Sequence, residues 1–486
     1  MKTTQSVFLA ALLLGGCASV EGPVIGSKVE VTPQLPEIPP EWSQAGIVGE
    51  LPQGDWLSQF DDPTMVALVN EAMAGNPNLQ AAEARVRVAR ETARSIYGRS
   101  LPSVNYSFTN GYSSNFSSQA LGGGVVVDGR FAQPQYNQGL QFSWELDLWG
   151  RVRASNRAAQ QDHQASEADY AAAQLALAGQ TAIAWINLNS ALQQQEVTRR
   201  TYEARQRIVE LTDRRFARGL NTALDVRTAR TQLATSEAAI AGQQQATEKA
   251  ARQLETLLGR YPAAEIEASG TLPTLSGITT LSNPTLLLAR RPDIAAAEAR
   301  LEAAGLRAEQ ARLALLPAFR LNSGISNSSS IEFADILDPQ RLSANIIGSL
   351  TQTIWAGGAL RADKKSSLAN AEAFAATYTD TVLTAWREVE DALAADRFLN
   401  LQLDAQLRAL EEATQAEELA TRQYQNGLVS IFNLLQSQTT RLTSEASVVQ
   451  ATAARAVNRV NYHMALGGAS DPSKAPDAAP SAGAIP

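Results

Sequence analysis

The sequence predicts a mainly α protein with a small β part, built from duplicated long helical hairpins and two pairs of strands. Three observations predict this class. One spaced pattern occurs twice, two very long stretches lack proline, and four segments alternate apolar and polar residues. Because the repeated matches keep a constant order over a long distance, we infer that one large unit was duplicated, in contrast to a short solenoid repeat.

The duplication is clearest before the predicted strand pairs. Asn76–Arg85 returns as Arg291–Arg300, and Leu101-Pro102 returns as Leu316-Pro317 at the same offset. The last residue of the second copy is expected near position 466. We therefore expect a first structural repeat at 61–283, with a strand pair at about 103–147, and a second at 284–466, with a strand pair at about 318–355.

The first residues resemble a bacterial lipoprotein signal. Lys2 precedes an apolar run at 7–14 that is too short to cross a bilayer and fits a signal peptide. The run ends at Leu14-Gly15-Gly16-Cys17, so we expect a signal at 1–16 and lipidation, including palmitate, at Cys17. A proline-rich, extended linker is expected at 17–60, and a disordered Ala/Pro/Ser/Gly-rich tail at 467–486.

Composition argues against several functions. The net charge is -8 and the pI is about 5.2, so the chain has no basic field for nucleic acid. Cys17 is the only cysteine, and the only histidines, His163 and His463, lie far apart in helical stretches. No nucleophile elbow, phosphate-binding loop or metal-ligand cluster is present in the sequence. We therefore expect no enzyme activity, no cofactor and no metal site.

Two long stretches are rich in strong helix formers. Residues 151–217 contain no proline and a single glycine, Gly179, and residues 360–425 contain neither. A helix of roughly 65 residues would be on the order of 100 Å long, which suggests packing in a coiled coil or a helical barrel. Broad alanine surfaces favour neighbours on two sides. Partner helices are expected at 222–258 and 430–466, so each repeat ends in a hairpin.

Each predicted strand pair has one apolar and one polar face. This alternation over roughly ten residues is typical of membrane β-barrel strands, although a half-buried soluble sheet would show it too. The loop of the first pair, Ser113–Gln138, is polar and Gly-rich and is expected to be extracellular. The apolar positions are Val104, Tyr106, Phe108, Tyr112, Leu140, Phe142, Trp144, Leu146, Phe319, Leu321, Ile325, Ala344, Ile346 and Leu350.

Four strands cannot enclose a barrel, because open edges in lipid leave backbone groups unpaired. The chain must therefore oligomerise if the strands span a membrane. Two copies would give about eight strands, whose inward side chains nearly fill the interior, whereas three would give about twelve and leave a lumen. Polar inward faces favour the open arrangement.

Four motifs resemble the outer membrane factor (TolC-like) family, and most closely its lipoprotein branch, which serves drug-efflux pumps of the RND type. The resemblance covers about 55–467. Its motifs are Arg290-Arg291-Pro292-Asp293-Ile294 closing at Leu316-Pro317, Trp386-Arg387-Glu388-Val389-Glu390-Asp391-Ala392-Leu393, Asp147-Leu148-Trp149-Gly150-Arg151, and Ile354-Trp355-Ala356-Gly357-Gly358.

The resemblance implies a homotrimer with a twelve-stranded barrel in the outer membrane and a periplasmic α-barrel of long helices. It implies a passive exit duct of a tripartite efflux pump, joined to an inner-membrane RND-type pump through a periplasmic adaptor protein. The location implied is the cell outer membrane of a Gram-negative bacterium, with a lipid anchor and an extension into the periplasm.

The resemblance also assigns roles at the two hairpin tips. The expected adaptor-docking residues are Arg215, Gly219, Leu224, Asp225, Tyr424, Gly427 and Asn433, although the glycines also fit simple turn geometry. The expected periplasmic gate residues are Phe432, Gln436 and Thr439. Relatives commonly place an aspartate and an arginine at the positions of Gln436 and Thr439, so a weaker electrostatic lock and less cation selectivity are expected here. Phe432 is a candidate hydrophobic constriction.

Two alternatives stay open at this point. The channel could serve type I protein secretion or metal-ion efflux, although only four methionines occur, which disfavours a methionine relay for copper or silver. The chain could also be a lipid-anchored periplasmic coiled-coil scaffold. A scaffold would not need four alternating strands in duplicated positions.

Overall fold

The structure is a computed structural model that describes residues 31–39, 42–43, 47–48, 56–121, 125–273, 275, 279–280 and 284–468. The helices are α1 (Pro63–Gly75), α2 (Pro77–Ser100), α3 (Arg151–Ala217), α4 (Ala223–Leu258), α5 (Pro292–Leu313), α6 (Ala359–Gln425) and α7 (Ile431–Ala465). The main strands are β1 (Ser103–Leu121), β2 (Val125–Leu146), β3 (Ala318–Ser329) and β4 (Ser343–Thr351). The order α2-β1-β2-α3-α4 recurs as α5-β3-β4-α6-α7, as the duplication predicts.

Shorter elements complete the described part of the chain. A two-residue parallel ladder pairs Ile47–Val48 with Thr279–Thr280. Short 3-10 helices lie at Trp56–Phe60, Pro284–Leu287, Phe333–Leu337 and Pro339–Arg341. The predicted lipidation site Cys17 and most of the predicted tail lie outside the described residues.

The two predicted long helices are confirmed. Both α3 and α6 contain 67 residues, which corresponds to about 100 Å of helix. The single glycine of α3, Gly179, has a packing reason: a Cβ at this position would lie 1.9 Å from the Met464 sulfur of α7. Glycine therefore lets these two helices approach each other closely.

The four main strands form one antiparallel sheet in the order β1-β2-β3-β4. Its register confirms the predicted alternation, because Tyr106 pairs with Leu140, Leu140 with Ile325, and Ile325 with Ala344. Directly paired residues point to the same side of a sheet, so one face carries the apolar residues of all four strands. The other face carries mainly Ser, Asn, Gln and Gly, with the charged pair Glu145 and Arg320 and one apolar exception, Ile347.

The prediction of a polar loop at Ser113–Gln138 is wrong. In the structure β1 continues to Leu121 and β2 begins at Val125, with paired residues from Ser113↔Gln133 to Leu121↔Val125. Backbone N–H and C=O groups form a ladder whatever the side chains are. The alternation rule detects only strands with one apolar face, so it missed these polar extensions of the hairpin.

The chain forms two compact units, the first of which includes Arg87–Ala165 and Glu298–Tyr378. Around the sheet, Trp144 Nε1 donates to the Ser100 carbonyl at 3.1 Å. The carboxylate of Asp147 accepts the backbone N–H groups of Val152 and Arg153 at 3.0 and 2.9 Å, so it holds the start of α3. The passage from β2 to α3 is thereby held by Asp147 of the predicted motif.

The second unit includes the described residues of 166–297 and 379–468 and contains the larger apolar core. In this core Trp185 donates to Asp62 at 2.7 Å, and Asp62 also caps α1. Arg291, of the predicted motif, is buried and donates to Asp293, Glu388 and the Ala465 carbonyl. A buried guanidinium is tolerated only when its donors are satisfied, which explains why two predicted motifs each place one carboxylate, Asp293 and Glu388, beside Arg291.

Candidate functional site at the helical hairpin tips

The two hairpin tips have the same backbone geometry. At the first, Gly219 has φ +74°, its N–H donates to the Phe216 carbonyl at 2.9 Å, and Leu220 donates to the Arg215 carbonyl at 2.9 Å. At the second, Gly427 has φ +77°. Its N–H donates to Tyr424 at 3.0 Å, and that of Leu428 donates to Gln423 at 2.9 Å. Both are helix C-caps that require a left-handed residue, so glycine has a structural role at each.

The helices that leave the two tips begin differently. Thr222 and Asp225 form a capping box at the start of α4, with Asp225 N–H donating to Thr222 Oγ1 at 3.2 Å and Thr222 N–H donating to Asp225 Oδ2 at 2.8 Å. At α7 the N-cap is Ser430, whose side chain makes no capping hydrogen bond. Asp225, which was predicted to dock an adaptor, therefore also stabilises its own helix, whereas the start of α7 lacks such a bond.

Arg215 joins the first tip to the second. Its Nη1 donates to the backbone carbonyls of Tyr424 and Gln425 at 3.2 and 3.1 Å, and its Nε donates to Asn221 Oδ1 at 3.0 Å. The guanidinium carbon lies 5.1 Å from the centroid of the Tyr424 ring. These carbonyls end α6 and have no partner within the helix, so a cation there satisfies them and complements the helix dipole.

Tyr424 is buried in the same contact. Its hydroxyl accepts from Asn221 Nδ2 at 2.7 Å and lies 3.2 Å from Thr212 Oγ1. Thr212 gives its own hydroxyl hydrogen to the Ile208 carbonyl at 2.8 Å, so Tyr424 is the donor to Thr212. The hydrogen-bonded group Thr212, Arg215, Asn221 and Tyr424 is hereafter called the tip clasp.

An apolar cluster surrounds the tip clasp. Its members pack helices of both hairpins together: Ile208, Ala229, Ala420, Tyr424, Ile431, Leu434 and Leu435. Sequence reasoning named Arg215 and Tyr424 as docking residues but missed Thr212 and Asn221. An asparagine two residues after a turn glycine is a weak signal, because turns favour asparagine for many reasons.

The outward side of the tips is partly apolar. Leu224, predicted to dock an adaptor, is 65% exposed, and Leu220 and Leu428 are similarly exposed beside the two glycines. Exposed apolar side chains grouped at one end of a helical hairpin are typical of a surface that binds another protein. Asn433 is also exposed. The predicted docking residues thus divide into an outward set, with Leu224 and Asn433, and an inward set, with Arg215 and Tyr424.

The three predicted gate residues share one face of α7. Phe432, Gln436 and Thr439 are exposed, whereas Ile431, Leu434, Leu435 and Gln438 on the opposite face are buried. Spacings of four and seven residues place side chains on one side of a helix. Gln436 carries no charge, and the Thr439 hydroxyl donates to the Leu435 carbonyl at 2.9 Å. This face is therefore neutral along its gate residues.

A charged network lies directly beyond this face and was not predicted. Arg441 of α7 pairs with Glu417 of α6 and with Glu445 at 2.7 Å, and Arg200 of α3 donates to Glu445 at 2.6 Å. The side chains of Arg441, Glu417 and Glu445 are 16–18% exposed, so the pairs are better shielded from water than ordinary surface pairs. The network ties α3, α6 and α7 together near the gate residues.

The described residues contain no helix that is long and apolar enough to cross a membrane. They also contain no group of three or more His, Cys, Asp or Glu side chains placed to hold a metal ion. The described residues thus combine two long helical hairpins with a sheet that has one apolar face, one polar face and two open edges.

The family model described as outer membrane efflux protein matches residues 68–260 and 283–468. The chain belongs to this outer membrane efflux protein family. It is accordingly an outer-membrane channel of an efflux pump, which decides between the channel and the scaffold hypotheses. The localisation to the outer membrane is confirmed, and the relatives are channel proteins.

Curated relatives extend over nearly the whole chain. The pyoverdine export outer membrane protein OpmQ of Pseudomonas aeruginosa is 30% identical over 464 residues, covering 95% of this chain and 96% of that protein. The outer membrane protein OprJ of the same species is 31% identical over 479 residues, covering 96% of each. The cation efflux system protein CusC of Escherichia coli is 27% identical over 469 residues, covering 95% of this chain and 98% of that protein.

Solved structures confirm the fold. The outer-membrane channel OprN superposes with a TM-score of 0.78 at 26% identity, covering 91% of this chain and 98% of that one. The CusC structure gives a TM-score of 0.77 at 26% identity, covering 90% and 98%. The predicted combination of long helical hairpins with a small four-stranded sheet is thus confirmed.

Proposed function

We propose that three copies of this chain close their sheets into one twelve-stranded barrel and act as the exit duct of a tripartite efflux pump. One observation carries this proposal. The sheet ends in two edges, β1 and β4, that have no partner among the described residues, and its faces are apolar on one side and polar on the other. An open edge is not tolerated in lipid, and three copies pair every edge while leaving a polar lumen.

The hairpin tips are the proposed site of contact with a periplasmic adaptor, through which an inner-membrane RND-type pump would deliver cargo. Leu224 and Asn433 support this role because they are exposed beside the turn glycines Gly219 and Gly427. Arg215, Tyr424 and Asp225 would act indirectly, since their polar atoms are engaged within the tips. Their task would be to hold both turns in one arrangement for the adaptor.

The exposed face of α7 is the proposed periplasmic gate. Phe432, Gln436 and Thr439 would face the pore, and a ring of three phenylalanines with three neutral amides would narrow it without fixed charge. The tip clasp would resist opening, because moving the second hairpin, formed by α6 and α7, away from α3 breaks the bonds that Arg215 and Thr212 make with Tyr424 at the end of α6. We propose no catalytic activity, because a duct needs only a water-filled path of suitable width.

Lipidation at Cys17 is proposed from the sequence Leu14-Gly15-Gly16-Cys17. Acyl chains contribute about 0.8 kcal/mol per buried methylene, so several chains hold a protein at the membrane surface. The anchor would add to the barrel and fix the start of the mature chain at the inner leaflet of the outer membrane.

The proposed cargo is drugs or other small molecules. A metal ion is the second candidate, because the relative CusC is named a cation efflux system protein. The described methionines do not favour it. Met65 is buried, Met73 packs against the core of the second unit, and Met464 packs against Gly179. The sulfurs of these methionines are therefore engaged in packing and do not form a binding path for a soft metal ion.

Crosslinking in intact cells tests the assembly. The protein would be captured from the outer-membrane fraction and its partners identified by mass spectrometry. We expect a trimer with a periplasmic adaptor and a proton-driven multidrug pump. Recovery with an ABC exporter would move the function to type I secretion, and recovery with a metal pump would move it to metal-ion efflux. Recovery without any inner-membrane pump would contradict the proposal.

A further inference from the structure

The segment that joins β3 to β4 folds back over the apolar face of the sheet. Asn327 and Gln138 are directly paired in the register and lie on this face. The Asn327 Nδ2 donates to the carbonyls of Ile336 and Asp338, both at 2.9 Å, and Gln138 Nε2 donates to the same Ile336 carbonyl. These bonds fix the backbone of the connecting segment against two neighbouring strands.

Aromatic and apolar contacts reinforce this seat. The ring of Phe333 meets the rings of Phe108 and Tyr136 edge-on, with centroids 6.0 and 5.7 Å apart. Asn327 on the apolar face of the sheet and Ile336 in the segment that covers it are each only 1% exposed, whereas the rest of this face is open. Residues 331–342, hereafter the outer knob, therefore cover the polar interruptions of the apolar face.

The outward surface of the outer knob is apolar. Ile331, Phe333, Leu337 and Leu342 are 49–71% exposed. The ionised side chains of the knob largely pair with one another: Asp335 accepts the Ser329 hydroxyl at 2.7 Å and Arg341 at 2.9 Å, and Arg341 lies 3.8 Å from Asp338. Pairing lowers the cost of moving these charges into a less polar medium.

Strand length indicates the depth of the outer knob. β3 has 12 residues, and at the usual tilt it would rise roughly 30 Å from its helical end, slightly more than the apolar band of an outer-membrane barrel, about 25 Å tall. The knob folds back over Asn327 and Ser329, near the far end of β3. This places it at the rim of the band, where charged residues cost little and apolar residues are favoured.

We propose that the outer knob seats in the outer leaflet of the membrane and contacts lipid with Ile331, Phe333, Leu337 and Leu342. The occupant is lipid because the knob's exposed apolar surface continues the apolar face of the sheet, which faces lipid in the proposed barrel. The inference rests on that barrel. Its consequence is a fixed depth of the channel in the membrane, set by a folded loop in addition to the strands.

Fluorescence quenching in lipid vesicles tests this inference with labels at three cysteines, introduced one at a time into the full chain, which also contains Cys17. Leu337→Cys reports the knob, Ile346→Cys reports the apolar face of β4, and Asn345→Cys reports its polar face. The unsubstituted chain controls for labelling at Cys17. We expect nitroxide lipids to quench the Leu337 label within about twofold of the Ile346 label, and aqueous iodide to quench it less than the Asn345 label.

The three labels separate the two proposals. If the Leu337 label followed the Asn345 label while Ile346 remained in lipid, the barrel would stand and the knob proposal would be overturned. If the Ile346 and Asn345 labels behaved alike, the barrel itself would be contradicted, and the knob proposal with it.

A second variant tests whether the seat of the knob is responsible. Adding Asn327→Ala to the Leu337→Cys chain removes the amide that holds the Ile336 and Asp338 carbonyls. We expect iodide quenching of the label to rise by about twofold or more, because a released loop leaves the lipid. Asn322→Ala, on the polar face, is the matched control and should leave quenching unchanged. An unchanged label in the Asn327→Ala chain would contradict the role assigned to this side chain.

Discussion

The guanidinium of Arg215 lies 5.1 Å from the ring centroid of Tyr424 and donates to the backbone carbonyl of the same residue at 3.2 Å. These two residues belong to the tips of different helical hairpins. One contact thus joins the C-terminal ends of α3 and α6, beside the segment where α7 carries the proposed gate. The proposed docking and gating roles would therefore be coupled through one small cluster of side chains.

Removing the Tyr424 hydroxyl should destabilise the tips. In Tyr424→Phe the amide of Asn221 loses its buried acceptor and Thr212 loses a donor, so we expect a loss of about 1–2 kcal/mol. Chemical unfolding in detergent micelles measures the change. Tyr261→Phe is the control, because Tyr261 is 87% exposed and should change stability by less than about 0.5 kcal/mol. Equal effects of the two substitutions would contradict the tip clasp.

A negative charge at Gln436 should change ion selectivity. In a trimer Gln436→Asp would create a ring of three carboxylates on the exposed face of α7, and such rings attract cations. We expect a higher cation preference, measured as a shift of reversal potential in bilayer recordings under a salt gradient. Gln244→Asp, on the exposed part of α4 far from the tip, adds the same charge as a control. Unchanged reversal potentials for Gln436→Asp would exclude Gln436 from the gate.

The tip glycines and a helical glycine should respond oppositely to alanine. Gly427 has φ +77° and a Cβ there would meet only Arg215 Nη2 at 3.7 Å, so Gly427→Ala is opposed by the backbone alone and should cost about 1 kcal/mol. Gly242 lies inside α4 with open space around its Cβ, so Gly242→Ala should stabilise by about 0.5–1 kcal/mol. Thermal melts of both variants measure the change in stability, which should be a loss for Gly427→Ala and a gain for Gly242→Ala. Changes in the same direction would contradict the role of backbone conformation at Gly427.

The second unit should lose stability at acidic pH through His463. Burial and the nearby charge of Arg459 lower the pKa of His463 from 6.5 to about 4, and its ring stacks on Trp56 with centroids 5.5 Å apart. At pH values between about 4 and 6.5, His463 therefore binds a proton in the unfolded chain but not in the folded chain. Stability is therefore unaffected above about pH 6.5 and falls as the pH is lowered towards 4.

The expected loss from this group between pH 7 and pH 5 is on the order of 2 kcal/mol. Melting curves of the unchanged chain and of His463→Phe at both pH values measure it, since phenylalanine keeps the stack but takes no proton. Tyr462 contacts the same ring, the charge of Arg459 acts on it, and Asp396 pairs with Arg459; all three residues are unchanged in the variant. Equal pH dependence of the two proteins would exclude His463 as the cause.

Much of the fold was predictable because its signals are local. Long runs without proline predicted α3 and α6, and the glycines at 219 and 427 predicted the hairpin tips, where both adopt left-handed backbone conformations. The polar extension of the β1–β2 hairpin was missed, because backbone pairing leaves no apolar period in the sequence. The alternation rule also fails at Gln138 and Asn327, where a distant loop covers polar side chains on the apolar face.

The site was only partly predictable for the same reason. Arg215 and Tyr424 were recognised by resemblance, but their mutual contact spans 209 positions and leaves no trace in either local sequence. The network of Arg441 with Glu417 and Glu445 was missed because one of its bonds crosses from α6 to α7. The adaptor-docking and gate roles themselves remain predictions, as does lipidation at Cys17.

The number of chains in the assembled channel tests the central claim most directly. Native mass spectrometry of the protein, extracted from the outer membrane in a mild detergent, counts the copies. The account predicts three, because three four-stranded sheets pair every edge strand of β1 and β4 around a polar lumen. A stable monomer would leave the edges of the sheet open, and a dimer would form a barrel whose interior is nearly filled by side chains. Finding either one in the same extract would contradict the account.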